Sequence, residues 1–164
     1  MIRGMGTAPD NRGLSPVVGS CAGIRGSMDD CLFCKIVAGE LPSTRVYEDD
    51  RVVAIMDIFP ATRGHALVVP RAHSRDVHEV AQDDLAAAAA AAKHLAGAAV
   101  RGLGADGVTI MQSNGAVAWQ TVFHYHVHVI PRYDGDPLVL PWQPGSAPAD
   151  PDELADISRS YFSD

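Results

Sequence analysis

The chain has 164 residues, 47% of them hydrophobic, and a formal net charge of -7, and this length fits a single domain with one buried core. The acidic residues are scattered, which excludes a basic stripe for a nucleic acid polymer but not the binding of one phosphate. No apolar run approaches the ~18 residues of a membrane-spanning helix, so we expect no membrane partner.

The first 27 residues are typical of a flexible tail, with six glycines, two prolines and no periodic apolar pattern. They lack the apolar run of a cleaved signal peptide, so Met28 is a candidate start of the native chain. The chain has three cysteines, and two residues separate Cys31 from Cys34. An odd number of cysteines without a secretory signal indicates a reducing, cytoplasmic compartment, where thiols serve a metal site or packing.

A short helix and three strands are predicted in the next segment. The apolar residues of CLFCKIVAGELP (31–42) have helical spacing, and Gly39 and Pro42 end the helix. Strand-like runs follow at 44–48, 51–57 and 65–70. Short connections rich in turn residues separate them, which predicts a meander of antiparallel strands.

Residues 83–103 predict one long helix, because alanine has the highest helix propensity and two aspartates lie at the dipole-favoured N-terminal end. Two more strands are predicted at 107–114 and 121–131. Prolines after residue 131 indicate an extended arm, and PDELADISRSYF (151–162) predicts a short closing helix.

These elements predict an α+β fold, with a five-stranded antiparallel sheet, one long helix and one or two short helices. The predicted organisation is a flexible tail at 1–27, one domain at 28–142, and a C-terminal arm at 143–164 that carries the short helix.

The last predicted strand has histidines at alternate positions, His124, His126 and His128. Alternation puts them on one face of the strand and the intervening residues on the other, toward the core. Protonated imidazoles about 7 Å apart repel one another, so we expect some of them to be neutral near pH 7. The core-facing residues are Phe123, Tyr125, Val127 and Val129.

Three interpretations of the histidines stay open. A lone histidine is most often an ordinary, partly buried side chain, but three in strict alternation weigh against that. His-x-His on a strand is a common metal geometry, although this strand carries no acidic ligand. Nucleophilic catalysis needs an anion pocket, and the preceding segment supplies neutral hydrogen-bonding side chains and a glycine loop. These residues are Asn114, Gly115, Gln120 and Thr121.

The sequence resembles the histidine-triad (HIT) superfamily, whose signature is Gln-Ser/Thr-Val-x-His-φ-His-φ-His-φ-φ, where φ is apolar. Residues 120–130, QTVFHYHVHVI, match it. The likeness runs from about residue 29 to 142, includes CLFCKI, AGELPS, DIFPATRGHALVVPRAH and HVIPRY, and is greatest to bacterial members of the Hint-like branch. The resemblance implies a HIT-like fold, a homodimer, and a hydrolase or transferase that removes a leaving group from AMP or GMP.

The resemblance implies distinct roles for three histidines. His126 corresponds to a nucleophile that becomes transiently nucleotidylated, so that water completes the reaction in a second step. His128 corresponds to the residue that contacts the α-phosphate and the leaving group. His65 matches an upstream histidine that supports the site. No catalytic metal or organic cofactor is implied.

Other positions match the family's substrate contacts. Asn114, Gln120 and Thr121 match phosphate-holding residues, and Asp57 matches a carboxylate that receives the ribose hydroxyls. Without the resemblance, Asp57 is equally a turn residue, and core packing is the better explanation for the apolar set that matches the base slot. That set is Leu32, Phe33, Ile36, Ile55 and Ile58.

The sequence CLFC supplies half of a tetrahedral zinc site. In bacterial relatives with this pair, the resemblance implies that His73 and His124 complete it. The resulting set, Cys31, Cys34, His73 and His124, suits Zn²⁺ and would tie the N-terminal segment to the histidine strand. The alternative is that both cysteines are packed thiols.

Two departures from the family pattern bear on the substrate. Trp119 stands where many relatives have glycine, and Thr121 replaces serine, as in the branch that hydrolyses dinucleoside polyphosphates. Three functions therefore remain: hydrolysis of AMP or GMP derivatives such as phosphoramidates, hydrolysis of dinucleoside polyphosphates, and a zinc-stapled nucleotide-binding scaffold without turnover.

Overall fold

A computed structural model describes residues 30–139 and 148–161. The predicted tail at 1–27 lies outside the described residues, as does the start of the predicted C-terminal arm. The helices and strands, in chain order, are α1 (Leu32–Ala38), β1 (Arg45–Glu48), β2 (Val52–Met56), β3 (Ala66–Pro70), α2 (Gln82–Ala98), β4 (Gly107–Met111), β5 (Val127–Arg132) and α3 (Pro151–Ser160).

The strands form one antiparallel sheet in the order β1-β2-β3-β5-β4. This confirms the predicted α+β fold, with one long helix, α2, and two short ones, α1 and α3. The central strands β2 and β3 are almost entirely buried, as their run of apolar residues predicts. Within the described ranges, no helix is long and apolar enough to cross a membrane.

The core has two parts, one on each face of the sheet. The alanines of α2 allow that helix to pack closely on Val52, Ala54 and Val68, while Val53 and Ile55 project to the opposite face. There they pack with Phe33 of α1. Alternation along β2 therefore supplies both cores, and it places α1 on the face opposite α2.

The prediction of one continuous strand at 121–131 is wrong, because β5 begins only at Val127. The ladder of β5 with β4 ends where Met111 pairs with His128, and its ladder with β3 ends where Val68 pairs with Val127, so residues 121–126 have no strand partner. Tyr125 instead donates its backbone N–H to the carbonyl of Ser74 at 2.7 Å. The predicted strand at 107–114 likewise ends early, at Met111.

Two further expectations need correction. Phe123 was predicted to face the core, but it is 41% exposed and the Arg75 guanidinium lies over its ring, 5.1 Å from the centroid. The long helix was predicted to continue regularly to residue 103, but α2 passes into a π-helical turn at Ala99–Leu103. Gly104, at φ 69°, ends that turn in the left-handed conformation that glycine adopts readily.

Candidate catalytic and metal site

The triad histidines share one face although two of them precede the strand. Tyr125, Val127 and Val129 pack in the core under α2, while Phe33 of α1 contacts the rings of His124 and His126 edge-on. The side chains from residue 124 onward alternate between the two faces although residues 124–126 have no ladder partner. The prediction that the three histidines and the apolar residues face opposite sides is confirmed from residue 124 onward.

His126 has one ring nitrogen fixed as a hydrogen-bond donor. Its Nδ1 lies 2.6 Å from the backbone carbonyl oxygen of His124. A carbonyl oxygen only accepts, so the hydrogen is on Nδ1. Burial lowers the pKa of His126, which keeps the ring neutral at pH 7. A neutral ring with Nδ1–H has its lone pair on Nε2, and this nitrogen is the candidate nucleophile.

His65 and His128 have their tautomers set in the same way. The backbone N–H of Ala61 donates to Nδ1 of His65 at 3.1 Å. The remaining nitrogen of His65, Nε2, lies 2.9 Å from Nδ1 of His128 and donates to it. Burial, with smaller contributions from the neighbouring His126 and His65, lowers the pKa of His128 to about 4. The neutral His128 ring therefore has its hydrogen on Nε2.

The rings of His126 and His128 are neighbours with complementary hydrogen-bonding groups. His126 offers a lone pair and His128 offers an N–H, and their ring centroids are 5.0 Å apart. Asp57 is near the same group, with Oδ2 3.5 Å from Nδ1 of His65. Asp57, His65 and His128 also have ligand atoms within 4.8 Å of one another. The hydrogen bonds from the Ala61 N–H to His65, and from His65 to His128, account for how the His65 and His128 rings are held.

We expect the free energy of unfolding to fall as the pH drops from about 6.5 to about 4. An unfolded histidine binds its proton near pH 6.5, whereas folded His128 does so only at about 4. The unfolded state therefore binds more protons in this window, and linkage requires stability to rise with pH. Urea denaturation between pH 7 and 4 measures the slope, which should be smaller in His128→Asn. An unchanged slope in that variant would contradict the assignment.

Four side chains from three parts of the chain form a candidate metal site. Their ligand atoms all lie within 4.8 Å of one another. Nδ1 of His124 is 3.5 Å from Sγ of Cys31 and 3.6 Å from Sγ of Cys34. Nδ1 of His73 is 3.3 Å from both Sγ of Cys34 and Nδ1 of His124.

These distances fit tetrahedral zinc. Bonds of about 2.3 Å to sulfur and about 2.05 Å to nitrogen place sulfur and nitrogen ligands about 3.5 Å apart, and two nitrogens about 3.3 Å apart. Nε2 of His124 donates to the carbonyl of Pro70 at 2.9 Å, which leaves the lone pair of Nδ1 directed at the cluster. Cys31 precedes α1 and Cys34 is in its first turn, so a short helix brings both thiols to one place.

The predicted phosphate-holding residues lie in the loop before β5. The Gln120 amide donates to the carbonyls of Arg75 and Val122, at 2.7 and 3.1 Å, and accepts from the Gly115 N–H at 2.8 Å. Asn114 accepts from the Val77 N–H at 2.8 Å. Both amides thus shape the loop, Thr121 is exposed, and phosphate contact by all three stays a prediction.

The predicted base slot divides into buried and exposed residues. Phe33 and Ile55 are buried in the core on the α1 face, with Ile36 partly buried beside them. Leu32 is 46% and Ile58 83% exposed. Asp57, next to Ile58, accepts the Phe59 N–H at 2.8 Å through Oδ1, so it does act as a turn residue, and its other oxygen faces His65. Base and ribose contacts stay predictions.

Trp119 adopts a backbone conformation that suits glycine. Its φ is 69°, in the left-handed region, which costs a residue with a side chain roughly 1–2 kcal/mol. The side chain is 61% exposed. Within the described structure, no burial offsets this strain. The resemblance leads us to expect glycine at this position, and the left-handed conformation of Trp119 is one that glycine adopts readily.

Sequence comparison with known proteins finds histidine-triad proteins among the relatives of this chain. The family model described as "HIT domain" matches residues 38–135. "Protein hit" of Bacillus subtilis is 41% identical over 134 residues, which cover 80% of this chain and 92% of that protein. "Adenylylsulfatase HINT3" of Arabidopsis thaliana is 38% identical over 110 residues, covering 67% of this chain and 56% of the relative.

One similar solved structure is described as containing zinc. It is described as a Zn-bound histidine triad family protein from Mycobacterium smegmatis, and it is 41% identical to this chain with a TM-score of 0.66. The match covers 82% of this chain and 99% of that one.

Proposed function

Because this chain belongs to the HIT domain family, which includes hydrolases and transferases, we propose that it hydrolyses derivatives of nucleoside 5′-monophosphates at the α-phosphate. AMP phosphoramidates are the representative substrates, and a purine nucleotide (AMP or GMP) is the group retained. The observation that carries the proposal is the pairing of a bare Nε2 on His126 with an N–H on His128, in rings 5.0 Å apart.

The proposed reaction has two displacements. Nε2 of His126 attacks the α-phosphorus, an N–P bond forms, and the bond to the leaving group breaks while the Nε2–H of His128 protonates that group. Water then attacks the same phosphorus and the N–P bond to His126 breaks, which restores the lone pair of His126 and releases the nucleotide. The proton that the water loses restores the Nε2–H of His128. Asn114, Gln120 and Thr121 are proposed to hold the phosphate, and Asp57 the ribose.

The His124 carbonyl favours the intermediate over the free enzyme. Nucleotidylation at Nε2 gives the His126 ring a positive charge while Nδ1 keeps its hydrogen. A hydrogen bond from a charged donor is about twice as strong as one from a neutral donor, so the 2.6 Å contact with the His124 carbonyl strengthens as charge develops. Differential stabilisation of this kind lowers the barrier.

We propose that Cys31, Cys34, His73 and His124 bind a structural Zn²⁺. The tetrahedral spacing of their ligand atoms supports this, as does the zinc-bound relative from M. smegmatis. The ion would tie α1 to the loop after β3 and to the segment before β5. We further propose a homodimer, because β4 is an edge strand that can pair with a second copy. We propose the cytoplasm as its location, because thiols that serve a metal site stay reduced there.

Two other hydrolase activities, on dinucleoside polyphosphates and on adenylyl sulfate, each have a specific observation in their favour. The hydroxyl of Thr121 suits a dinucleoside polyphosphate hydrolase, and the Arabidopsis relative is named an adenylylsulfatase, which adds adenylyl sulfate to the candidate substrates. The remaining alternative is a nucleotide-binding scaffold without turnover.

A substrate panel separates these functions. We expect kcat/KM for adenosine 5′-phosphoramidate to exceed that for diadenosine polyphosphates by at least roughly tenfold, because one N–H on His128 suits an amine leaving group. Adenylyl sulfate is the third substrate, and GMP analogues report base preference. Preference for diadenosine polyphosphates would favour the second function. Nucleotide binding with no turnover of any substrate would leave only the scaffold.

A further inference from the structure

His124 takes part in two sites at once. Its ring directs Nδ1 at Cys31, Cys34 and His73, at 3.3 to 3.6 Å. Its backbone carbonyl accepts the Nδ1–H of His126 at 2.6 Å. The ring of this residue therefore belongs to the metal cluster, and its backbone holds the candidate nucleophile.

The carbonyl of His124 is not held by the sheet. Strand β5 begins at Val127, three residues later. The described backbone contact nearest to it is the bond from the Tyr125 N–H to the carbonyl of Ser74, which is the residue after His73. The segment is thus held by His73 and Ser74 of the loop after β3. It is also held by the two cysteines, and by the bond from Nε2 of His124 to the carbonyl of Pro70.

Phe33 provides a second physical link between the cluster and His126. It lies in α1 between Cys31 and Cys34 and is buried. Its ring contacts that of His126 with centroids 5.0 Å apart and that of His124 at 6.0 Å, edge-on in both cases. Because α1 has only seven residues, too few for a stable isolated helix, the position of Phe33 depends both on its packing against the sheet and on what holds the two cysteines.

We propose that Cys31, Cys34 and His73 are positioning residues for catalysis: with metal bound, they fix the His124 carbonyl and Phe33, and these fix the ring and tautomer of His126. This inference rests on the proposed function and deepens it, because it gives the metal cluster a role in the rate of nucleotidylation as well as in stability. Without the metal, the His126 ring can rotate or carry its hydrogen on Nε2, and either change removes the attacking lone pair from its place.

The test compares metal-loaded protein with the same protein after chelation and after Zn²⁺ is added back. In protein with ¹⁵N-labelled histidine, the loaded form should show His126 with hydrogen on Nδ1 and a bare Nε2, assigned by the loss of that signal in His126→Gln. Chelation should mix the two tautomers, and added Zn²⁺ should restore the first. kcat should fall about 10- to 100-fold while KM changes by about threefold or less.

Two variants separate positioning from mere stability. Cys34→Ser should resemble the chelated protein in tautomer and kcat, because it removes a ligand. Leu95→Ala, at a partly buried residue of α2 that packs against the core, should lower the melting temperature and leave the His126 tautomer and kcat unchanged.

Each remaining outcome is decisive. A His126 signal and kcat that are the same with and without bound Zn²⁺ would overturn the inference and leave the proposed hydrolase intact. Protein that binds no Zn²⁺ would also overturn it. A tautomer that follows the metal in protein without turnover would sustain the positioning and refute the hydrolase.

Discussion

The variant His126→Ala loses at least about a thousandfold in kcat/KM for adenosine 5′-phosphoramidate. The loss is large because alanine removes the attacking atom, and no other described ring has both a bare Nε2 and an N–H neighbour like His128. Nucleotide affinity should change little, since the apolar and loop residues proposed to contact the base and phosphate remain. Steady-state kinetics and equilibrium binding of AMP measure the two effects separately.

Folding must be shown to survive, because His126 is buried. Far-ultraviolet circular dichroism and the melting temperature provide this control. Mass spectrometry of base-quenched wild type should find one nucleotidyl group on His126, absent from the variant. His128→Asn is the matched comparison: it should still form the adduct, with a rate loss that grows as the leaving group becomes more basic. A His126→Ala protein that is folded and within about tenfold of wild type would refute the nucleophile.

The sequence predicted correctly which face the three histidines share, but it did not predict where the strand that carries them begins. Alternation is a local property of any extended chain, so His124, His126 and His128 share a face whether or not a neighbouring strand is present. Ladder pairing is not local. It depends on where β4 ends, and β4 ends at Met111 because the next residues form a loop held by side-chain amides.

The tautomers could not be predicted, because backbone groups set them. The carbonyls of Pro70 and His124 and the N–H of Ala61 decide which nitrogen of three histidines has the hydrogen. Every non-proline residue has these groups, so no residue type marks the positions that matter. The resemblance to a family implies that His126 attacks, which stays a prediction, and the structure adds that Nδ1 of this ring donates to the His124 carbonyl.

The exposure of individual apolar residues could not be predicted from the sequence either. Leu32 and Phe33 are adjacent in α1, yet one is 46% and the other 4% exposed, because neighbouring helix positions point about 100° apart. The spacing of apolar residues predicts that they share a face of the helix. It does not tell whether that face packs in the core or lies open to a nucleotide base. Ile58 and Phe59 are both exposed beside Asp57, and no pattern in the sequence distinguishes ligand contact from an ordinary turn at these residues.

Mutation of Cys31 to serine gives opposite results for a metal ligand and for a packed thiol. Cys31 is the N-cap residue of α1 and its side chain makes no capping hydrogen bond, while serine is a preferred N-cap. If the thiol only packs, Cys31→Ser is therefore neutral or stabilising by up to about 1 kcal/mol. If Cys31 binds Zn²⁺, we expect unfolding free energy to fall by at least about 3 kcal/mol, because a structural zinc site contributes directly to folding.

That loss corresponds to a fall of about 6–12 °C in melting temperature for a chain of this size. Elemental analysis should find about one zinc per chain in wild type and much less in the variant. Chelator should lower the melting temperature of wild type toward that of Cys31→Ser and have little effect on the variant, because the stabilisation by metal is already lost. A variant as stable as wild type, in protein purified without chelator, would show that the cluster is held by packing and hydrogen bonds alone.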